Sequence, residues 1–258
     1  MITIIRKLQD RITPMSKSHG IMRRMLVFFL PILFLVSIPA FPEDKFWEKK
    51  DYRQWSRQEC QKLLKDSPWA KTFMIRQIGY GYDVQLRSAL PIRQATVRQM
   101  QIAENYESLS PERRSEFDKR AEGLLSPDLF TDTIIVHVRF NPLDYRQRDY
   151  WQTRTTDLLK NDVFLNPSKS GRIPLLQYKV SQAAGVLPEA VEFQFIFPRQ
   201  YKGRSLLSAQ DEFLRLEFNC PFKSSDFGLP RTSIQTDVDS VLIEFKTNKM
   251  RINGEVMY

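Results

Sequence analysis

Histidine is almost missing from this chain: among 258 residues only His19 and His137 occur. No pair of histidines is spaced for zinc, and no H-E-x-x-H helix is possible. Cysteine is equally scarce, with Cys60 and Cys220 alone, so neither a C-x-x-C redox pair nor a disulfide scaffold can be built. Glycine is limited to nine residues. No phosphate-cradling loop appears, because Gly79-Tyr80-Gly81 lacks the third glycine of a dinucleotide turn. No G-x-S-x-G elbow is present either. These absences leave the catalytic residues unassigned, and neither cofactor nor metal is expected.

One long apolar run is present. Met25–Phe41 is interrupted only by Ser37 and follows directly on Arg23 and Arg24. A basic flank before a short apolar stretch has the form of an export leader. Ala40 offers a small side chain for cleavage near Ala40/Phe41. The alternative is an uncleaved membrane anchor, for which a run of this length stands at the lower limit of about 17 residues. Pro31 and Pro39 favour cleavage. The run has no neighbouring cysteine for lipid attachment. Met22-Arg-Arg-Met25 makes a compact basic start, so translation from Met22 is expected. Residues 1–40 thus read as the leader and residues 41–258 as one exported domain, periplasmic or extracellular. Membrane contact is expected only through residues 25–41, if they are retained.

The leader changes the meaning of the charge. The whole chain carries +9, but residues 1–40 hold six bases against one acid. Five positive charges leave with them, and the remaining 218 residues carry +4. A strong basic field would indicate nucleic acid; this residue of charge does not, and no nucleic-acid partner is expected. A chain of that length buries a core without staples. Export permits a Cys60–Cys220 bridge, worth about 4–5 kcal/mol for so long a loop. Two buried thiols are the equal alternative.

Hydropathy patterning divides the domain. A polar, ring-rich opening (Phe46, Trp47, Tyr52, Trp55) precedes a helix signalled by Ser56 and Glu59 at capping-box spacing. Asp66-Ser67-Pro68 stops it. Strands are expected at Thr72–Ile78 and Tyr82–Leu86, then helices at Pro91–Tyr106 and from Pro111 to Ser126. Asp132–Phe140 alternates as a strand, with Ile134, Val136, Val138 and Phe140 on one face. Residues 144–160 read as a helix, and Val163–Leu165 with Ile173–Val180 as a hairpin. Strands at Glu192–Phe197, Phe213–Phe218, Val241–Phe245 and Met250–Met257 make about eight, the last two flanking a turn at Thr247–Lys249. The fold class is α+β: N-terminal helices packed on a largely antiparallel sheet or sandwich in the C-terminal half.

Few side chains invite a chemical role. His137 sits mid-strand on the polar face, where a general base is conceivable and a hydrogen-bonded strand histidine is commoner. Asp237 and Asp239 share a strand face, but calcium needs six or more oxygens, so a solvated edge is expected. Tyr145, Arg146, Arg148, Tyr150, Trp151 and Arg154 interleave rings and guanidinium groups. That pattern suits stacking on a ligand, or a helix laid rings-down on a sheet. Trp47, Trp55 and Trp69 flank the first helix and either anchor it or form a docking surface. Trp47, Trp55, Trp69, Tyr150 and Trp151 are the expected interaction residues.

Six segments stand together: Trp47-Glu-Lys-Lys, Trp55-Ser56, Leu63-Leu-Lys-Asp-Ser-Pro-Trp-Ala-Lys71, Ser88-Ala-Leu-Pro-Ile-Arg-Gln-Ala95, Phe195-Ile-Phe-Pro-Arg199 and Lys249-Met-Arg-Ile-Asn-Gly254. With them the chain resembles a family of exported bacterial proteins, the GWxTD-domain proteins. The naming pentapeptide Gly-Trp-x-Thr-Asp does not occur here. The resemblance implies export and one contiguous domain; it carries no catalytic residue over. The expected function is a non-catalytic binding or structural module of the cell envelope, with an envelope protein or polymer as partner. The alternative is a hydrolase acting on envelope or extracellular polymers through paired carboxylates, which need no histidine.

Overall fold

Antiparallel pairing organises the β half around two sheets. In the computed structural model the described residues are 45–75, 80–142, 145–181, 190–208, 210–219 and 240–258; they belong to one unit, Asp44–Tyr258. The residues 25–41 run, Cys220, Asp237 and Asp239 lie outside the described residues.

The first sheet holds five strands in the order β1 (Ala70–Ile75), β2 (Tyr80–Leu86), β3 (Thr133–Phe140), β7 (Val191–Pro198), β6 (Gln177–Val180). The second has the order β11 (Ser240–Lys246), β10 (Phe213–Asn219), β4 (Val163–Pro167), β5 (Ile173–Pro174). Every pairing in these sheets is antiparallel. Alternation decides which face is inward. In β3 every second residue from Ile134 to Phe140 is buried, and β10 buries Leu214, Leu216 and Phe218 in the same rhythm. The two inner faces meet in one core, as in a sandwich. Tyr82 and Phe195 of the first sheet lie 5.2 and 5.6 Å, centroid to centroid, from Phe218 of the second. Truncating a ring this deeply packed costs about 3–5 kcal/mol. The fold is therefore α+β, with the helices early and the sheets predominating after them.

Helix α1 (Phe46–Lys49) is a single turn, and helix α2 (Arg57–Lys65) begins on a reciprocal capping box. Ser56 Oγ accepts from the Glu59 amide at 3.2 Å, and Glu59 Oε2 accepts from the Ser56 amide at 2.8 Å. Its inner stripe, Cys60, Leu63 and Leu64, joins the core. Helices α3 (Leu90–Ala103) and α4 (Pro111–Leu125) form a hairpin with a small core of its own around Val97, Phe117 and Ala121.

Four boundaries differ from expectation. Helix α3 stops at Ala103, because Asn105 takes the left-handed conformation at φ 51° and a 3-10 turn follows at Tyr106–Ser108. The expected 144–160 helix is two helices, α5 (Tyr145–Gln152) and α6 (Thr156–Leu159). Thr153 Oγ1 donates to the Asp149 carbonyl at 2.7 Å, and Thr155 is extended, so the β-branched run ends the first helix. The expected Ile173–Val180 strand changes sheets: Ile173–Pro174 pairs with β4, whereas Gln177–Val180 pairs with β7. Pro174 has no amide to continue the first ladder. The final hairpin turns at Asn253–Gly254, with φ of 51° and 85° between β12 (Arg251–Ile252) and β13 (Glu255–Val256). Thr247–Lys249 is a 3-10 turn instead.

One glycine is required by close approach. A Cβ on Gly81 would collide with the Phe73 carbonyl and the Met74 sulfur of the paired strand.

Candidate functional site

The expected docking surface is not a surface. Trp55, Trp69 and Trp151 are at most 1% exposed and Trp47 is 8% exposed. Trp47 packs edge-on against both Phe46 and Trp69, and Trp55 against Phe46. Trp151 of α5 stacks on Phe193 at 4.5 Å and meets Tyr82 and Phe218 edge-on, so it touches both sheets. Rings this large are drawn inward because each removes more apolar area from water than any other side chain. Of the five residues expected to bind a partner, Tyr150 alone keeps part of its surface. Its ring lies 3.9 Å below the Arg154 guanidinium. Tyr145 is exposed. The interleaved Arg and ring segment is thus mainly a helix with its largest ring buried.

His137 is positioned by the β3 alternation on the face opposite Val136 and Val138. In register it lies between Gln85 and Gln194. Burial, followed by the nearby Arg87 and Arg139 guanidinium groups, pushes its pKa down to about 4. Its Nε2 stands 3.8 Å from Glu192 Oε2. Its Nδ1 is buried without a partner among the described residues. It is absent from the walls of the clefts described below. Cys60 is a buried free thiol, and burial pushes its pKa up to about 11. Neither residue has the exposure of a nucleophile or base.

The largest described cleft, about 690 Å³, opens beside the helical hairpin. Four elements supply it. The 3-10 turn Tyr52–Gln54 brings Tyr52 and Arg53, α3 brings Arg98 and Gln101, and the Tyr106 turn with α4 brings Tyr106, Glu107, Asp118 and Glu122. Local bonds hold these side chains. Tyr106 Oη donates to Asp118 Oδ1 at 2.9 Å, and that bond raises the phenol above its ordinary pKa. The Tyr106 ring also packs edge-on against Phe117 at 5.1 Å. Arg98 Nε donates to the Trp55 carbonyl at 3.0 Å, tying α3 to the turn before α2. Arg93, buried in α3, donates to the Leu125 and Ser126 carbonyls at 2.6 and 3.0 Å, which satisfies the end of α4 and keeps the hairpin closed.

The result is a groove with two tyrosines, two arginines and three carboxylates. Asp118 and Glu122 are one turn apart on α4, so their backbones are about 6 Å apart along the axis. Glu107, Asp118 and Glu122 are all exposed. Water screens them, which suits recognition of polar groups. Among the described residues no group of three or more His, Cys, Asp or Glu is arranged for a metal ion.

Reasoning from the amino-acid order missed this groove. Tyr52 stood out as one ring of the opening segment. Nothing in the spacing brings it to Tyr106, which reaches it only through the turn at Asn105. Comparison of the chain with family models, curated proteins and solved structures finds no match. What the fold itself defines is an α+β protein with a two-sheet core and a helical hairpin that carries its largest described cleft.

Proposed function

We propose that the chain is an exported, non-catalytic binding domain of the cell envelope, and that its ligand is an envelope polymer held in the α3–α4 cleft. The observation that carries this reading is the composition of the cleft. Tyr52 and Tyr106 supply ring surface for sugars beside the Arg53 and Arg114 guanidinium groups, which sit over those rings at 4.9 and 5.7 Å, and arginines with carboxylates around them suit short charged peptides. A polymer combining sugars with charged peptides presents both. The expected leader at residues 1–40 and the resemblance to exported bacterial proteins support the envelope as the place.

Cosedimentation of the purified domain with isolated peptidoglycan sacculi, followed by titration calorimetry with soluble fragments, tests it. The expected result is saturable binding. It weakens about tenfold, the equivalent of 1.4 kcal/mol, in Arg53→Glu and Glu122→Arg, whose side chains face water. Their melting temperatures should match the wild type. Failure of the unaltered domain to bind either form would overturn the reading.

One observation favours a second reading. Asp118 and Glu122 line the same cleft one helical turn apart, and glycoside hydrolases work with two carboxylates facing one cleft. Release of reducing ends from the same fragments, abolished in Asp118→Asn and Glu122→Gln, would establish hydrolysis in place of binding.

A further inference from the structure

A second cleft, of about 520 Å³, lies between two tight turns of the β half. One wall is the β4–β5 connection, with Lys169, Ser170 and Arg172. The other is the hairpin of β8 (Gln200–Tyr201) and β9 (Arg204–Ser205), with Tyr201, Lys202 and Arg204. Four cations line this cleft and no carboxylate does. The other described clefts are different. The hairpin groove sets Arg53 and Arg98 against Glu107, Asp118 and Glu122. A third cleft sets Lys246 and Arg251 against Asp211, Glu212 and Glu244. A fourth sets Arg113 and Arg120 against Glu104 and Glu116. Charges of one sign gathered in a concavity repel one another and focus a positive potential into it.

Both walls are fixed in place. The buried carboxylate of Asp211 takes bonds from each side. From the first wall, Ser168 Oγ donates at 3.1 Å and the Lys169 amide at 2.8 Å. From the segment after the second wall, the Ser208 amide and Oγ donate, each at 2.8 Å. Leu206 and Leu207 root that segment in the core. Arg172 is held by Glu217 at 2.7 Å, with its guanidinium over the Phe164 ring. The hairpin tip is a Lys202–Gly203 pair at φ of 51° and 74°, the conformation of a tight two-residue turn. Lys169, Lys202 and Arg204 form no ion pair among the described residues. The Ser170 hydroxyl adds a neutral donor, whereas the Ser205 hydroxyl already donates to the Leu207 carbonyl at 3.1 Å.

We propose that this cleft binds the phosphate group of an anionic ligand. Three cations without an ion pair among the described residues, beside the Glu217-held Arg172 and the Ser170 hydroxyl, on two rigid turns, match a multiply charged oxyanion better than a single carboxylate. The phosphate has two possible sources, a phospholipid headgroup or a soluble or polymer-borne phosphate. The site is separate from the α3–α4 groove, and the proposal does not depend on what that groove binds.

Amide proton–nitrogen spectra of the domain, titrated with inorganic phosphate against sodium chloride at matched ionic strength, test this. The expected result is saturable shifts confined to residues 168–173 and 201–206, with phosphate and not with chloride. In the double variant Lys202→Asn, Arg204→Gln the apparent affinity should fall about tenfold. Asparagine tolerates the left-handed turn position, so the melting temperature should hold; Lys169→Gln provides an independent second loss. Cosedimentation with vesicles of equal parts phosphatidylglycerol and phosphatidylcholine, against pure phosphatidylcholine, separates the sources. Binding to the anionic vesicles, lost in the double variant, assigns a lipid headgroup. Phosphate shifts without vesicle binding assign a soluble or polymer-borne group. Shifts reproduced by chloride, or unchanged in the double variant, would overturn the proposal.

Discussion

The Trp69 indole Nε1 donates to the main-chain carbonyl of Met257 at 2.6 Å, joining residues 188 positions apart. Trp69 is fully buried immediately before β1. The bond therefore fixes the segment after the final hairpin against the first strand of the first sheet. Trp47 provides an internal comparison, since its indole N–H is buried with no partner among the described residues. Trp69→Phe is expected to cost more than Trp47→Phe by about 1–3 kcal/mol, because it leaves a carbonyl without its donor in the interior. Urea unfolding of the two variants measures the difference. Equal losses would mean that only ring packing matters at both positions.

Asp211 joins two chain segments through a single buried carboxylate. Burial raises its pKa, but the Ser208 amide and hydroxyl, the Lys169 amide and the Ser168 hydroxyl more than offset that, and the net shift is downward. A depressed folded-state pKa stabilises the fold above the ordinary aspartate range, and the contribution is lost as pH falls below about 4 toward the folded value. Asp211→Asn is expected to destabilise by about 2–3 kcal/mol at neutral pH. The gap to the wild type should narrow in acid. A gap independent of pH would show that the amide differs from the acid in shape alone.

The dependence on protonation has the same sign at His137, although there the deprotonated form that the fold favours is the neutral one. Arg87, Arg139 and Glu192 are the charged groups that act on or approach it. The unfolded chain binds a proton near pH 6.5, whereas the folded chain does so only near 4. Stability is therefore full above pH 7 and falls as the pH drops from about 6.5 to 4, by on the order of 3 kcal/mol. No other histidine lies between residues 41 and 258. Denaturant melts of that segment at pH 7.5 and 5.5 should thus differ for the wild type and nearly coincide for His137→Gln. A persisting difference in the variant would assign the effect to carboxylates.

Local signals in the sequence translate well where one short-range interaction decides the outcome. The Ser56–Glu59 capping box and the alternation of β3 depend only on residues a few positions apart, and both are seen. Chain reversals were less legible. Lys202–Gly203 and Asn253–Gly254 are strong turn pairs, yet their flanking strands are only two residues long and carry no periodicity. The switch of β5 and β6 between sheets depends on the absent amide of Pro174 and on which ladder is open beside it, a tertiary question. The tryptophans were ambiguous for a related reason. A large ring near a helix end serves core and interface equally, and only the surrounding rings decide. Both clefts are built by segments far apart in the chain, so no spacing reveals them.

Cys60 resolves the alternative that composition left open. Its thiol is free, fully buried beside the core stripe of α2, and raised to about 11 by burial. Alkylation requires both the thiolate and access, and the folded state withholds both. In a Cys220→Ser variant, 5,5′-dithiobis(2-nitrobenzoate) at pH 8 should leave the native protein unlabelled. One equivalent should react once urea opens the fold, at a rate limited by unfolding. The unaltered protein, denatured without reductant and alkylated, should take up two groups. A single band of mass lacking both adducts would show a Cys60–Cys220 bridge, which requires a different setting for the Cys60 side chain from the one it has against Leu63 and Leu64. Fast labelling of the native variant would show that α2 lifts from the core on the timescale of the reagent, a local opening much cheaper than global unfolding.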